Sequence, residues 1–186
     1  MPTEIDPLAH LRETPVSRRP IHDGRLISYF DDEVRLADGT VSHREVVEHR
    51  GAVAAIPLDS AGKVVLVRQW RHPVSRALWE LPAGTREEGE AADATVAREL
   101  AEETGLAAGT WRALGNWPLA PGYSTEVMHY YVATDLTEAV AHTDFDERVE
   151  VGSFGADEVR SLIQRGEVDV KTIAGLALAG WDVRLS

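Results

Sequence analysis

Short apolar stretches alternate with polar ones between Leu26 and Glu48, which predicts two strands, Leu26–Leu36 and Thr40–Glu48. Asp38-Gly39 between them is a hairpin signal. The pair carries too little apolar surface to stand alone, so it must lie on the rest of the fold or on a second subunit. A second hairpin is predicted from Gly51–Pro57 and Lys63–Gln69, turning at Asp59-Ser60-Ala61-Gly62. Its strands, Ala52-Val53-Ala54-Ala55-Ile56 and Val64-Val65-Leu66-Val67, are apolar on both faces, as central strands are. Trp79–Pro82 reads as a short extended piece leading into a Gly/Glu-rich loop, Gly84 to Glu90. Residues 91–104 read as a helix stopped by Gly105 in the C-terminal cap position. Further strands are expected at Trp111–Trp117, Glu126–Ala133 and Arg148–Phe154, then helices over about 156–165, ended by Gly166, and about 171–182. Residues 1–23 are polar, with Pro2, Pro7, Pro15 and Pro20, and are expected to form an arm with little regular structure. No internal repeat or low-complexity tract interrupts this order.

The 186 residues suffice for one domain with a modest extension and its own core. A hydrophobic share of 44% with 27% charged residues is globular composition. Asp+Glu number 31 against 19 Lys+Arg, a formal net charge of −12. That balance argues against a protein reading a nucleic-acid backbone, and it suits a phosphate-bearing substrate only if cations help. There is no cysteine, which excludes disulfides, thiolate nucleophiles and Cys-zinc sites. The seven histidines are scattered without an i, i+4 pair, so a histidine-zinc site is not expected. Met1 to Pro20 has no apolar signal core, and no apolar run reaches membrane-spanning length. The expectation is a cytoplasmic protein with neither membrane nor nucleic-acid partner.

The chemistry concentrates between Gly84 and Leu106. At 100° per residue, Glu99, Glu102 and Glu103 share one helix face, at i, i+3 and i+4. Ala94, Ala97, Ala101 and Thr104 fall opposite and are expected to pack closely against a sheet. Like charges on one face repel, each close pair costing roughly 0.2–0.5 kcal/mol. A hard divalent cation reverses that sign, because Mg2+ favours carboxylate and carbonyl oxygens. A solvated acidic face is the ordinary explanation of a Glu-rich helix, but the surrounding spacing is not ordinary. Gly84, five residues, Glu90 and seven residues precede Arg98-Glu99-Leu100-Ala101-Glu102-Glu103-Thr104-Gly105-Leu106. At average residue frequencies a chance match to this pattern is well under about one in a million.

The segment is the full Nudix box, G-x5-E-x7-R-E-U-x-E-E-x-G-U with U bulky and aliphatic, and residues 24–186 resemble the Nudix hydrolases. The resemblance implies an α/β/α sandwich with a mixed sheet over 49–186, preceded by a small antiparallel β segment at 24–48. It implies metal-dependent cleavage of a nucleoside diphosphate linked to another moiety. Carried over, Glu99 and Glu103 are metal ligands, and Glu102 is a further ligand, directly or through water. Arg98 and Glu90 form a supporting ion pair, while Gly84 and Gly105 set the loop and the helix end. The implied cofactor is Mg2+, with Mn2+ or another divalent cation as the alternative. Bound metals neutralise a diphosphate and acidify an attacking water, which accounts for an acidic protein taking an anionic substrate.

Two features outside the box resemble the ADP-ribose pyrophosphatase branch. Glu80-Leu81-Pro82-Ala83-Gly84 leads into the box, and in that branch the backbone carbonyl at the Ala83 position joins the metal shell. Pro121, fifteen residues after Leu106, lies in Ala120-Pro121-Gly122-Tyr123-Ser124-Thr125-Glu126, the form found in ADP-sugar hydrolases. The branch also implies a homodimer in which the N-terminal β segment exchanges and both chains build each active site. Arg44 and Glu45 match positions that contact the nucleotide or its terminal ribose. Arg71 resembles the arginine that grips the diphosphate, and Glu126 the residue that binds ribose or helps order the metals. Ordinary salt bridges are the alternative for all four.

The catalytic candidates are thus Glu102, Arg98 and a carboxylate from the acidic loop at 142–147. There Glu147 is the first choice for general base or additional ligand, and Asp144 the second. Relatives often place adjacent carboxylates at the positions of Asp144 and Phe145, so Phe145 is a departure. Trp70, Trp79, Tyr29 and Phe30 are candidates for stacking on the base, with core packing the plainer role for the tryptophans. The implied reaction converts ADP-ribose to AMP and ribose 5-phosphate. A broader nucleotide-sugar pyrophosphatase accepting ADP-glucose or GDP-mannose is the rival within enzymes. A non-catalytic ligand sensor is the rival outside them, although such modules commonly have a degraded box.

Overall fold

The computed structural model describes residues 6–139 and 148–184. The candidates Asp144 and Glu147, with Phe145, lie outside the described residues. The chain divides into two compact units, the residues up to Arg50 with Ala120–Glu126, and Gly51–Leu119 with the residues from Val127 onward.

The first unit is an antiparallel sheet of three strands in sequence order, β1 (Thr14–Asp23), β2 (Ser28–Arg35) and β3 (Val41–Glu48). The hairpin of β2 and β3 turns at Asp38-Gly39 as expected. Gly39 takes φ +88°, and the Asp38 carboxylate accepts from the Thr40 N–H at 2.9 Å. β1 corrects the expectation of an unstructured arm. Its ten residues are all exposed, so no apolar periodicity betrays the strand. Charge holds it instead: Arg18 is bidentate on Asp32 at 2.8 Å and reaches Glu48 at 2.7 Å, while Arg19 meets Asp31 at 2.6 Å. Register shifts at Pro15/Ser17 and Pro20/His22 absorb the two prolines on this edge strand. Residues 120–126 are tied to β3 by an isolated bridge between Val47 and Ser124. Val47 N–H donates to the Tyr123 carbonyl at 2.7 Å, and Thr125 N–H donates to the Val47 carbonyl at 3.0 Å.

The second unit holds β4 (Ala52–Pro57), β5 (Val64–Arg71), β6 (Arg76–Glu80), β7 (Ala83–Thr85), α1 (Ala92–Thr104), β8 (Leu106–Pro118), β9 (Val127–Glu138), β10 (Val149–Phe154), α2 (Ala156–Gln164) and α3 (Val170–Leu178). One sheet runs β7-β4-β9-β8, with β4 parallel to β9 and the other pairs antiparallel; a second runs β10-β5-β6, antiparallel throughout. β4 is buried at every residue because both its faces are covered. Ala52, Ala54 and Ile56 pack with Val64, Leu66, Tyr130, Val132 and with Val159, Leu162 and Leu176 of α2 and α3. Val53 and Ala55 pack with Val96 and Leu100 of α1. Helices thus cover both faces of a mixed sheet. Among the described residues no helix is long and apolar enough to cross a membrane.

The face α1 turns inward differs from the expected one. Ala94 and Ala97 are exposed, and Thr95, Val96, Leu100 and Glu103 are buried. Val96 and Leu100, one turn apart, offer more apolar area than alanines, so burial selects them and carries Glu103 inward with them. Gly105 ends the helix as expected, at φ +67°. β8 starts at once and extends beyond the expected strand, while α3 ends before Gly180.

Candidate active site

The lead-in to α1 and its last two turns form one cluster. Glu103, only 5% exposed, accepts from the Ala83 backbone N–H at 2.9 Å and from Gln69 Nε2 at 3.4 Å. Glu99 lies against Gly84 so closely that a Cβ there would stand 2.1 Å from its carboxyl carbon. A side chain at this position would therefore displace the Glu99 carboxylate by close approach, with no demand on backbone angle. Arg98 Nη1 bridges two of the acids, reaching Glu99 Oε1 and Glu102 Oε2 each at 2.8 Å. Its Nε and Nη2 grip Glu90 in a fork at 3.1 Å each. The Arg98 hydrogen bonds hold the Glu90 carboxyl down at about 2, and the surrounding carboxylates push the Arg98 pKa upward.

These residues suit a hard divalent cation by donor chemistry: three carboxylates on one helix face beside the Ala83 backbone, with no nitrogen or sulfur ligand. Gly84 leaves room for the Glu99 carboxylate that a larger residue would displace. As the side chains stand, no group of three His, Cys, Asp or Glu among the described residues converges on one ion position. Arg98, Gln69 and the Ala83 N–H hold the three acids instead.

Arg71, at the end of β5, is bidentate on Glu80, Nε at 2.7 Å and Nη2 at 2.6 Å. Glu80 in turn accepts from Lys171 Nζ, which also donates to Asp169 at 2.7 Å. The Glu80 side chain is 2% exposed, whereas Arg71 keeps 39% of its side chain open. Burial works against the Glu80 charge, but Arg71 and Lys171 outweigh it and hold its carboxyl below the ordinary range. Sequence reasoning missed Gln69, Glu80, Asp169 and Lys171. The available signals were an acid inside the apolar run Trp79-Glu80-Leu81 and the scarcity of lysine, only Lys63 and Lys171.

The remaining charged candidates among the described residues belong to the first unit. Arg44 is paired with Glu13, to which its Nε donates at 3.0 Å, and it also donates to Ser42 Oγ and the His43 carbonyl. Glu45 accepts from the Tyr29 hydroxyl at 2.7 Å. Glu126 closes the 120–126 loop, its N–H donating to Ser124 Oγ at 3.1 Å. The structure thus ties the Pro121 loop to β3, the strand that carries Arg44 and Glu45, which spacing alone does not reveal. Among the aromatics, Arg18 stacks over Phe30 at 4.5 Å, and Trp79 packs edge-on against Phe154 at 4.7 Å. Trp79 is therefore a packing residue. Trp70 is 61% exposed and lines a cleft of about 370 Å3 with Arg68, Ala77, Arg148 and Glu150.

The NUDIX domain family matches residues 48–174, and the chain belongs to that family. Over 168 residues the chain is 39% identical to the ADP-ribose pyrophosphatase of Mycobacterium tuberculosis, covering 89% of this chain and 79% of that protein. It is 36% identical over 165 residues to the ADP-ribose pyrophosphatase of Bacillus subtilis, covering 87% and 89%. It is 37% identical over 164 residues to the methanol dehydrogenase activator of Bacillus methanolicus, covering 87% and 89%. A crystal structure of an ADP compounds hydrolase superposes with a TM-score of 0.80 at 20% identity, covering 91% of this chain and 92% of that one, and so shares the fold.

Proposed function

We propose that this chain is a Mg2+-dependent ADP-ribose pyrophosphatase that hydrolyses the diphosphate of ADP-ribose to AMP and ribose 5-phosphate. The observation that carries the reading is the complete acid cluster of α1, set against Gly84 in a chain 39% identical to an ADP-ribose pyrophosphatase over 89% of its length. Glu99, Glu102, Glu103 and the Ala83 carbonyl would hold the cation, which when bound supplies charge neutralisation and a more acidic water.

The chain's own groups supply the rest. Arg98 fixes Glu99 and Glu102 relative to Glu90, so the acids are oriented before substrate arrives. Arg71 presents a permanently cationic planar group to the diphosphate. We assign the nucleotide and ribose contacts to Arg44, Glu45 and Glu126. Glu147 serves as the general base, with Asp144 as the alternative. The protein acts as a homodimer through its N-terminal sheet. Val16, Ile21 and Val41 stand exposed on that sheet, which supports the assignment.

The test is AMP release from ADP-ribose with and without Mg2+, beside ADP-glucose and GDP-mannose, with the mass in solution measured on the same sample. Mg2+-dependent preference for ADP-ribose is expected. Turnover confined to another nucleotide sugar would discard the substrate, and tight binding without turnover would make the protein a sensor.

A further inference from the structure

Arg71 does not reach the surface as a loose side chain. It lies on the same face of the β5–β6 pair as Glu80, because Val67 is the register partner of Glu80 and Arg71 follows Val67 by four residues. Both ends of the Glu80 carboxylate are committed: Oε1 accepts from Arg71 Nε, while Oε2 accepts from Arg71 Nη2 and Lys171 Nζ. Lys171 is itself held by Asp169, the N-cap of α3, whose other oxygen accepts from the Thr172 N–H at 3.0 Å. Thr172 Oγ1 then accepts from the Leu81 N–H at 2.8 Å, next to Glu80 in sequence. The ring of bonds closes through the start of α3 and leaves Glu80 almost no freedom to turn.

We infer that Glu80 is a positioning residue for diphosphate binding, locking the Arg71 guanidinium against the anchored pair Lys171–Asp169. This rests on the reading of Arg71 as the diphosphate-binding arginine. A guanidinium held by a fork on one edge loses little further entropy when its other edge meets an anion. Two cations facing Glu80 explain why a buried acid stays charged there, and Asp169 balances the second of them. Glu80 itself need touch no substrate, so removing it should weaken binding more than turnover.

The experiment measures kcat and KM for ADP-ribose, with Mg2+ saturating, in Glu80→Gln, Arg71→Ala and the double variant. Glu80→Gln is expected to raise KM about tenfold, with kcat within about threefold of the parent, as a supporting partner does. Glu80→Asp, which keeps the charge, recovers most of that loss. In the Arg71→Ala background Glu80→Gln adds nothing to KM, because the two act through one group. Additive effects, an unchanged KM in Glu80→Gln, or a loss confined to kcat would overturn the inference. Should Glu80→Gln fail to fold, Glu80→Gln with Lys171→Gln removes the buried charges together and is read in the same way. Calorimetric ADP-ribose binding to the parent protein separates the two claims. A parent that neither binds nor hydrolyses ADP-ribose overturns the functional reading and this inference with it; a competent parent with an indifferent Glu80 overturns only this inference.

Discussion

Around Arg98 one guanidinium serves three carboxylates, whereas around Glu80 one carboxylate serves a guanidinium and an ammonium. The first group is partly open to water, with the Arg98 and Glu102 side chains 30% and 33% exposed. The second has a buried centre, with Glu80 at 2% and Lys171 at 10%, and an open edge at Arg71. Burial explains the contrast: a charge taken out of water has to be matched on the spot, and Arg71, Lys171, Glu80 and Asp169 match two by two. The Arg98 group sets one cation among three acids, Glu90, Glu99 and Glu102, while Glu103 on the same helix is held by the Ala83 N–H and Gln69. On the function proposed above, the cluster with more acids than cations is the one that would take a visitor of opposite charge, and the balanced one keeps Arg71 in place.

The sharpest way to break this contrast is Glu103→Gln. The amide keeps an acceptor for the Ala83 N–H but removes a charge, so the fold should survive while AMP release falls on the order of 100-fold or more. Near-normal turnover at saturating substrate would sink the metal assignment. Lys171→Met tests the buried network. It leaves Asp169 and Glu80 sharing too little positive charge, and a urea titration should register a loss of about 3 kcal/mol. A loss under about 1 kcal/mol would mean the buried network is not coupled to folding.

Gly84→Ala is a subtler probe, because the added Cβ meets the far end of a flexible side chain. Stability should change by less than about 1 kcal/mol, but Glu99 must swing aside, and calorimetry should find Mg2+ bound about tenfold more weakly. Unaltered affinity would remove Glu99 from the ligand set. The smallest effect belongs to Glu90→Gln. Glu90 falls from 4.5 to about 2 in the folded protein, so its stabilising contribution is complete above pH 4.5 and is lost as pH falls toward 2. The variant should therefore show a flatter acid limb in stability measured across that window. An identical limb would mean that Glu90 titrates alike folded and unfolded.

Much of this was legible because the box is local. Glu90, Arg98, Glu99, Glu102 and Glu103 lie within fifteen residues, and helical geometry alone brings the last four together. The central strands were legible because two-sided burial leaves unbroken apolar runs in Ala52–Ile56 and Val64–Val67. What stayed hidden was held by long-range charge. β1 has no inward face to write an alternating pattern, so only Arg18 and Arg19 opposite Asp31 and Asp32 mark it. The tie between Glu80 and Lys171 spans 91 residues, and no periodicity encodes such a separation. The inward face of α1 is not its alanine face because Val96 and Leu100 offer the larger apolar area.

The loop at 120–126 is continuous in sequence with β8 and β9 yet hydrogen-bonded to β3. For recombination between relatives, the inheritable block is therefore discontinuous. A chimera that exchanges residues up to Arg50 but keeps its own 120–126 pairs two backbones that never evolved side by side. It puts at risk the Val47–Tyr123 and Val47–Thr125 bonds and the Thr125 hydroxyl that accepts from the His49 N–H. Exchanging both pieces together keeps them. On the contacts proposed above, swapping the N-terminal sheet alone would carry Arg44 and Glu45 across while Glu126 stays behind with the other half of the gene.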